Sequence, residues 1–303
     1  MKPIILIITI IITTISCEVE SKKNVIPLNE IRKKTHVTIT FNSIRIPDIL
    51  IDTGFSFDGL MIYNPNYRDS LDLPNAKEVR IPGAGGGEPS LASMIDSANF
   101  ELGNMKMSNQ RIILLQSDTY KGFPSNGIIG YSIFGHYITE FNYDQNMITL
   151  HNTDTIEIDN NWTEIPLYFK GNNIPWLDAT VVIKDEPPIS LSMYIDYAAG
   201  DAVLLLEKPN MKFQLPENIA DVYIGRGLSG DIYGKSGDIN KLIIGPYVLE
   251  NVKASFADAK IRSKQNNADG VLGIGTLRRF NLIFDYKNQK LYMKPNRHFN
   301  DPY

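Results

Sequence analysis

The chain of 303 residues has one cysteine, Cys17, so no disulfide can form within it. Its four histidines, His36, His136, His151 and His298, are scattered without the short spacing of a zinc site. No G-x-S-x-G elbow occurs, which removes the usual signature of a serine hydrolase. Basic excess is missing too. The formal net charge is −4, which gives no reason to invoke nucleic acid or an anionic membrane surface as partner. Long helical stripes are absent. So is any long apolar run, save one at the N-terminus. Hydrophobic and charged residues make up 43% and 21% of the chain, near globular averages, which argues against disorder.

What is present is largely β-patterned and is written twice. Val37-Thr38-Ile39-Thr40-Phe41 alternates apolar and polar, and Ile44 to Ile51 forms a second apolar run that ends at Asp52. Ile51-Asp52-Thr53-Gly54 has a counterpart in Ile195-Asp196-Tyr197-Ala198. Each is followed by an apolar run closing on glycine, at Gly130 and Gly273, 78 and 77 residues beyond its Asp. Phe141 to Ile148 and Phe284 to Leu291 both read as β-hairpins, and Phe100 to Met105 matches Leu242 to Tyr247. Short helices are expected near Ser132 to His136 and Thr276 to Arg279. A chain of this length has room for two lobes, and the boundary is expected near the polar stretch Asp154 to Trp162.

Two copies of one unit, each with one Asp in an apolar run, point to a site built on paired carboxylates. Asp52-Thr53-Gly54 with its backing strand at Gly130, repeated at Asp196 and Gly273, resembles the active-site architecture of the aspartic proteases. The resemblance is to the retropepsin-like and pepsin-like group, in the form of exported bacterial proteins. It implies an all-β fold of two barrel-like lobes with a cleft between them, and a monomer with pseudo-two-fold symmetry. It also implies Asp52 and Asp196 as catalytic residues acting on a peptide or protein substrate, with no cofactor and no metal.

The chemistry explains the need for two Asp. One carboxylate accepts a proton from water while a neutral carboxyl donates to the scissile carbonyl. Two like charges ~4 Å apart at an effective dielectric of ~20 repel by about 4 kcal/mol, which separates the two titrations by roughly three pH units. The aspartic protease dyad is the standing example of such a pair. By the resemblance, Thr53 hydrogen-bonds across the lobe interface and Gly54 lets the backbone approach the carboxylate. The second copy departs from this pattern. Tyr197 is expected to be too large for the buried grip, and Ala198 adds a Cβ where glycine is usual. Tyr197→Thr with Ala198→Gly is therefore expected to raise turnover.

Glycine-rich loops follow each Asp by some 30 residues. Pro82 to Gly87 and Gly225 to Gly230 are flap candidates, with Gly85, Gly86 and Gly227 at their tips. Gly225 to Gly230 spells G-x-G-x-x-G, but no helix pattern follows, so a dinucleotide site is rejected. Asp58, Asp201 and Asp269 are expected to be solvated surface positions.

The N-terminus reads as an export signal over residues 1–16: one basic residue, an apolar stretch from Ile4 to Ile15, then Ser16. Cys17 after Thr14-Ile15-Ser16 resembles a bacterial lipobox, implying a lipid anchor at Cys17, a tether over 17–30, lobes over 31–155 and 156–303, and a place in the cell envelope. A lipidated Cys17 leaves no cysteine nucleophile. Two readings compete with the peptidase: a catalytically silent peptide-binding module on the same fold, and a cell-surface β protein that binds glycans.

Overall fold

The computed structural model describes residues 24–85, 87–262 and 267–303. Cys17, the signal segment and Gly86 lie outside the described residues.

Three sheets carry the fold, two of eight strands and one of six. The first eight-stranded sheet runs Asn29–Ile31, Lys34–Phe41, Ile44–Ile51, Gly127–Ile129, Gly59–Ile62, Met105–Leu115, Ser90–Leu102 and Lys77–Ile81 across its width. The second repeats that order with Tyr168–Phe169, Pro175–Val182, Ile189–Asp196, Gly270–Gly273, Val203–Glu207, Tyr247–Asp258, Gly230–Ile244 and Ala220–Gly227. Each copy places its Asp-bearing strand parallel to its glycine-ended strand, Ile51 beside Ile129 and Asp196 beside Gly273.

Alternation drives these strands. Lys34–Phe41 buries Val37, Ile39 and Phe41 on one face. The Asp-bearing strands become apolar on both faces at their ends, because each is sandwiched in the middle of its sheet. Within Ile44–Ile51, Pro47 and the positive φ of Asp48 (55°) mark an irregularity that Asn126 secures, donating from its backbone N to Asp48 O at 3.0 Å and from Nδ2 to Pro47 O at 2.9 Å.

The six-stranded sheet joins the halves. Asn24–Pro27, Met147–His151 and Ile138–Asn142 come from the first, and Phe280–Asp285, Lys290–Pro295 and Thr163–Pro166 from the second. The halves meet where Phe141 pairs with Leu282 and Thr139 with Phe284. The two hairpins recognised as repeats in the sequence thus pair with each other beneath the cleft. The segment expected to be a polar tether up to Glu30 is, from Asn24, mostly sheet: Val25 pairs with Thr149, and Asn29 with His36. The stretch Asp154 to Trp162 connects the two halves of this sheet. Among the described residues the α-helices are two single turns, Tyr131–Phe134 and Ile274–Leu277, each directly after a backing glycine.

Candidate active site

Each carboxylate sits in the turn that ends a central strand. Asp52 follows Ile51, and its Oδ1 accepts from Gly54 N at 2.6 Å. Asp196 Oδ1 accepts from Ala198 N at 3.1 Å and Ala199 N at 2.9 Å. Asp196 is buried and Asp52 half-buried. The backing glycines explain themselves sterically. A Cβ on Gly130 would run into the carbonyls of Asp52 and Phe55, and one on Gly273 into those of Asp201 and Ala199.

The two turns meet. A Cβ on Gly54 would lie 3.0 Å from Asp52 Oδ1 and 3.6 Å from Asp196 Oδ2, so both carboxyl groups flank one point at the lobe interface. Thr53, buried, spans the interface: its hydroxyl donates to Ile195 O at 2.7 Å and accepts from Tyr197 N at 2.9 Å.

Tyr197 corrects a sequence expectation. It does fit at the lobe interface, fully buried, because its ring points down into the central sheet. There it lies 4.7 Å from Phe141, and its hydroxyl pairs with that of Tyr143, which also contacts Thr35 Oγ1 at 3.4 Å. Thr53 therefore makes a grip of threonine type from one side, and a tyrosine column replaces it on the other. Burial holds the Tyr143 and Tyr197 phenols above the ordinary tyrosine range. Ala198 does not have a positive φ, so its Cβ carries no backbone strain. The counterpart of Tyr143 in the second hairpin is Tyr286. It too is buried, but its hydroxyl finds no partner among the described residues, and the residue matching Tyr197 in the first copy is Thr53, which bonds Ile195 O and Tyr197 N instead.

Two of the three acidic residues expected at the surface are elsewhere. Asp269 is mostly buried, bonded to Lys208 Nζ at 2.6 Å and to Ser192 N at 2.9 Å, which offsets the cost of enclosing its charge. Asp201 is half-buried behind the Asp196 turn and accepts from Ser255 Oγ at 2.6 Å. Asp58 is the most open of the three, with 40% of its side chain exposed, and pairs with His136 at 2.8 Å. Among the described residues no group of three or more His, Cys, Asp and Glu gathers to hold a metal ion.

The flap candidates meet over the cleft, one from each half. Ser229 N donates to Ala84 O at 2.9 Å, and Gly87 N to Ser229 O at 2.6 Å. Ser90 Oγ donates to Leu228 O at 2.8 Å. Gly85, at φ 103°, passes so close to Ser229 and Gly230 that a Cβ would overlap their backbone. Gly227 is as tight against Ala84.

An aromatic wall, not anticipated from the sequence, joins the flaps to the floor. Tyr63 lies tilted against Tyr120 at 4.5 Å, and Tyr120 packs edge-on to Phe123 at 5.0 Å. Tyr120 reaches Arg226 O in the opposite flap at 3.5 Å. Burial raises both the Tyr63 and Tyr120 phenols, with the negative field of Asp52 adding to it. Asn173 closes the other side, donating across the lobes to Ser56 O at 3.1 Å. These residues carry no motif; only the repeat of Tyr143 at Tyr286 offered a sequence signal.

Two eight-stranded lobes of one topology, a shared sheet beneath them and a cleft with an Asp turn from each define an all-β fold of the aspartic protease type. The chain is similar to the crystal structure of an aspartic proteinase from Irpex lacteus, with a TM-score of 0.54 and 10% sequence identity, over 92% of this chain and 99% of that one. At that identity the likeness is one of fold. No protein-family model matches the sequence, and no curated protein does.

Proposed function

We propose that this protein is an aspartic endopeptidase that hydrolyses peptide bonds with a water activated between Asp52 and Asp196. The observation that carries this reading is the convergence of the two carboxyl groups on one point beside Gly54, bridged by Thr53. One carboxylate would take the proton of the water and the protonated partner would polarise the scissile carbonyl. The paired flaps must part to admit an extended chain and would close to exclude water from it.

The test is cleavage of a denatured protein substrate from pH 3 to 8. Hydrolysis should peak in acid and resist chelators. Asp52→Asn and Asp196→Asn should each lower kcat/KM by about a thousandfold or more, because either change destroys the shared proton. A second reading, a silent peptide-binding module, draws on the one-sided threonine grip. It gains ground if peptides bind, no bond is cut at any pH, and Asp196→Asn leaves affinity unchanged.

We also propose that the chain is exported to the bacterial envelope, acylated at Cys17 and held there on a membrane by the lipid. Several acyl chains anchor a protein stably where one does not. Cys17→Ala should move the protein from the membrane fraction to the soluble one. Continued sedimentation of a full-length, lipid-free variant with membranes would remove this reading.

A further inference from the structure

Lys34 opens the strand Lys34–Phe41, and its setting is unusual for a lysine. In the antiparallel pairing of that strand with Ile44–Ile51, His36 stands opposite Leu50. The pairing ends there; continued by two residues on each strand it would set Lys34 opposite Asp52. Its side chain crosses to the other lobe. A Cβ on Gly200, in the loop that leaves Asp196, would lie 3.7 Å from Lys34 Cε. The residue is half-buried, and its backbone is fixed on both sides: Lys34 O accepts from His36 Nδ1 at 2.8 Å, and the next residue, Thr35, contacts the Tyr143 hydroxyl beneath Tyr197. The hairpin turn that delivers it, Arg32-Lys33, has both residues at positive φ, 52° and 65°, as a tight turn matched to strand twist requires.

We infer that Lys34 is a positioning residue of the Asp52–Asp196 pair, its ammonium group setting a positive charge beside both carboxylates and lowering the pH at which the pair gives up its shared proton. The inference rests on the reading of these two Asp as a working pair. Among the other charges that act on Lys34, Asp201, behind the Asp196 turn, favours its ionised form and Arg32, at the hairpin tip, opposes it, while His36 faces Ser125 at 2.7 Å. Tyr63, Tyr120 and Tyr286, from the cleft wall and central sheet, are neutral phenols in acid. Burial draws the Lys34 ammonium below its ordinary range, while Asp196, Asp52 and Asp201 oppose that draw.

The sign follows from charge. A cation near a carboxyl favours its ionised form, so removing it raises the carboxyl pKa. A unit charge within several ångströms at an effective dielectric of ~20 moves such a titration by about one to two pH units.

The experiment compares wild type with Lys34→Met, which keeps the stem, and Lys34→Arg, which keeps the charge. Asp carboxyl carbons are labelled with carbon-13, assigned with Asp52→Asn and Asp196→Asn, and titrated by NMR. Peptide cleavage is followed over the same pH range. Both carboxyl midpoints should rise by about one unit or more in Lys34→Met and stay near wild type in Lys34→Arg. Any cleavage optimum should move to higher pH in step. Lys34→Gln replaces Lys34→Met if the latter does not fold. Unchanged midpoints in a folded neutral variant overturn the inference even if peptides are cut. Shifted midpoints in a protein that cuts nothing uphold it and remove the peptidase reading instead.

Discussion

At the scale of single residues, the two Asp turns are alike in their backbone hydrogen bonds and unlike in their packing. Both Asp turns use backbone N–H groups to hold one carboxylate oxygen. Thr53 and Tyr197 occupy matching positions with unlike solutions. Tyr197 fills the space under its turn and bonds Tyr143; Tyr286, the mate of Tyr143, is left with a buried hydroxyl and no partner among the described residues. Tyr197→Phe should therefore cost about 1–2 kcal/mol, by stripping a buried hydroxyl of its bond. Tyr286→Phe should be neutral or stabilising by up to about 1 kcal/mol, since it removes only an unsatisfied polar atom. Urea unfolding midpoints separate the two outcomes. Tyr197→Thr with Ala198→Gly, expected from the motif alone to improve turnover, should instead lower stability by about 3–5 kcal/mol, because it empties a ring-sized space in the core.

At the scale of elements, the repeat is what made the fold legible. Asp52, Gly130 and the hairpin at Phe141 recur in register at Asp196, Gly273 and Phe284, and the structure gives each set the same place in its sheet. Alternation and glycine position are local properties, so they survive in a single sequence. The flaps were legible as glycine-rich loops, but their meeting was not. Gly85 and Gly227 are small because a strand tip from the other half passes against them. That reason lies more than a hundred residues away. Part of the segment expected as a tether has a similar cause: Asn24–Pro27, with Val25 and Ile26 at its centre, becomes a strand because the edge of Met147–His151 pairs with it.

At the scale of the whole molecule, the lobes are held by a sheet and an aromatic core that both halves build. Phe134, Phe141, Phe284 and Tyr286 pack together within it, with Phe284 edge-on to Phe134 at 5.1 Å. Five tyrosines, Tyr63, Tyr120, Tyr143, Tyr197 and Tyr286, are held neutral by burial, each with its phenol raised above the ordinary value. The consequence for stability has a definite sign. Below about pH 10 folded and unfolded chains hold the same phenolic protons. Above it the unfolded chain releases them and the folded chain does not, so stability falls as pH rises toward the raised values, by about 1.4 kcal/mol per phenol per pH unit. The urea midpoint should drop steeply above pH 10, and tyrosine absorbance should show these phenols ionising only on unfolding. Free ionisation of all tyrosines near pH 10 in the folded protein would contradict this.

By itself the sequence determined the duplication, the all-β class, the Asp turns and the glycines that back them, because each is a local pattern of polarity, chain reversal or missing Cβ. It also displayed the departure at Tyr197-Ala198. Only the tertiary structure decided what that departure means. Whether a tyrosine is too large depends on the space beneath it, and that space is shaped by a hairpin fifty residues away. The same holds for Lys34 against the Gly200 loop, for Asp269 enclosed with Lys208, and for the aromatic wall from Tyr63 to the opposite flap. In each case the partner is set by strand register and by the pairing of two halves, and no window of the sequence contains both.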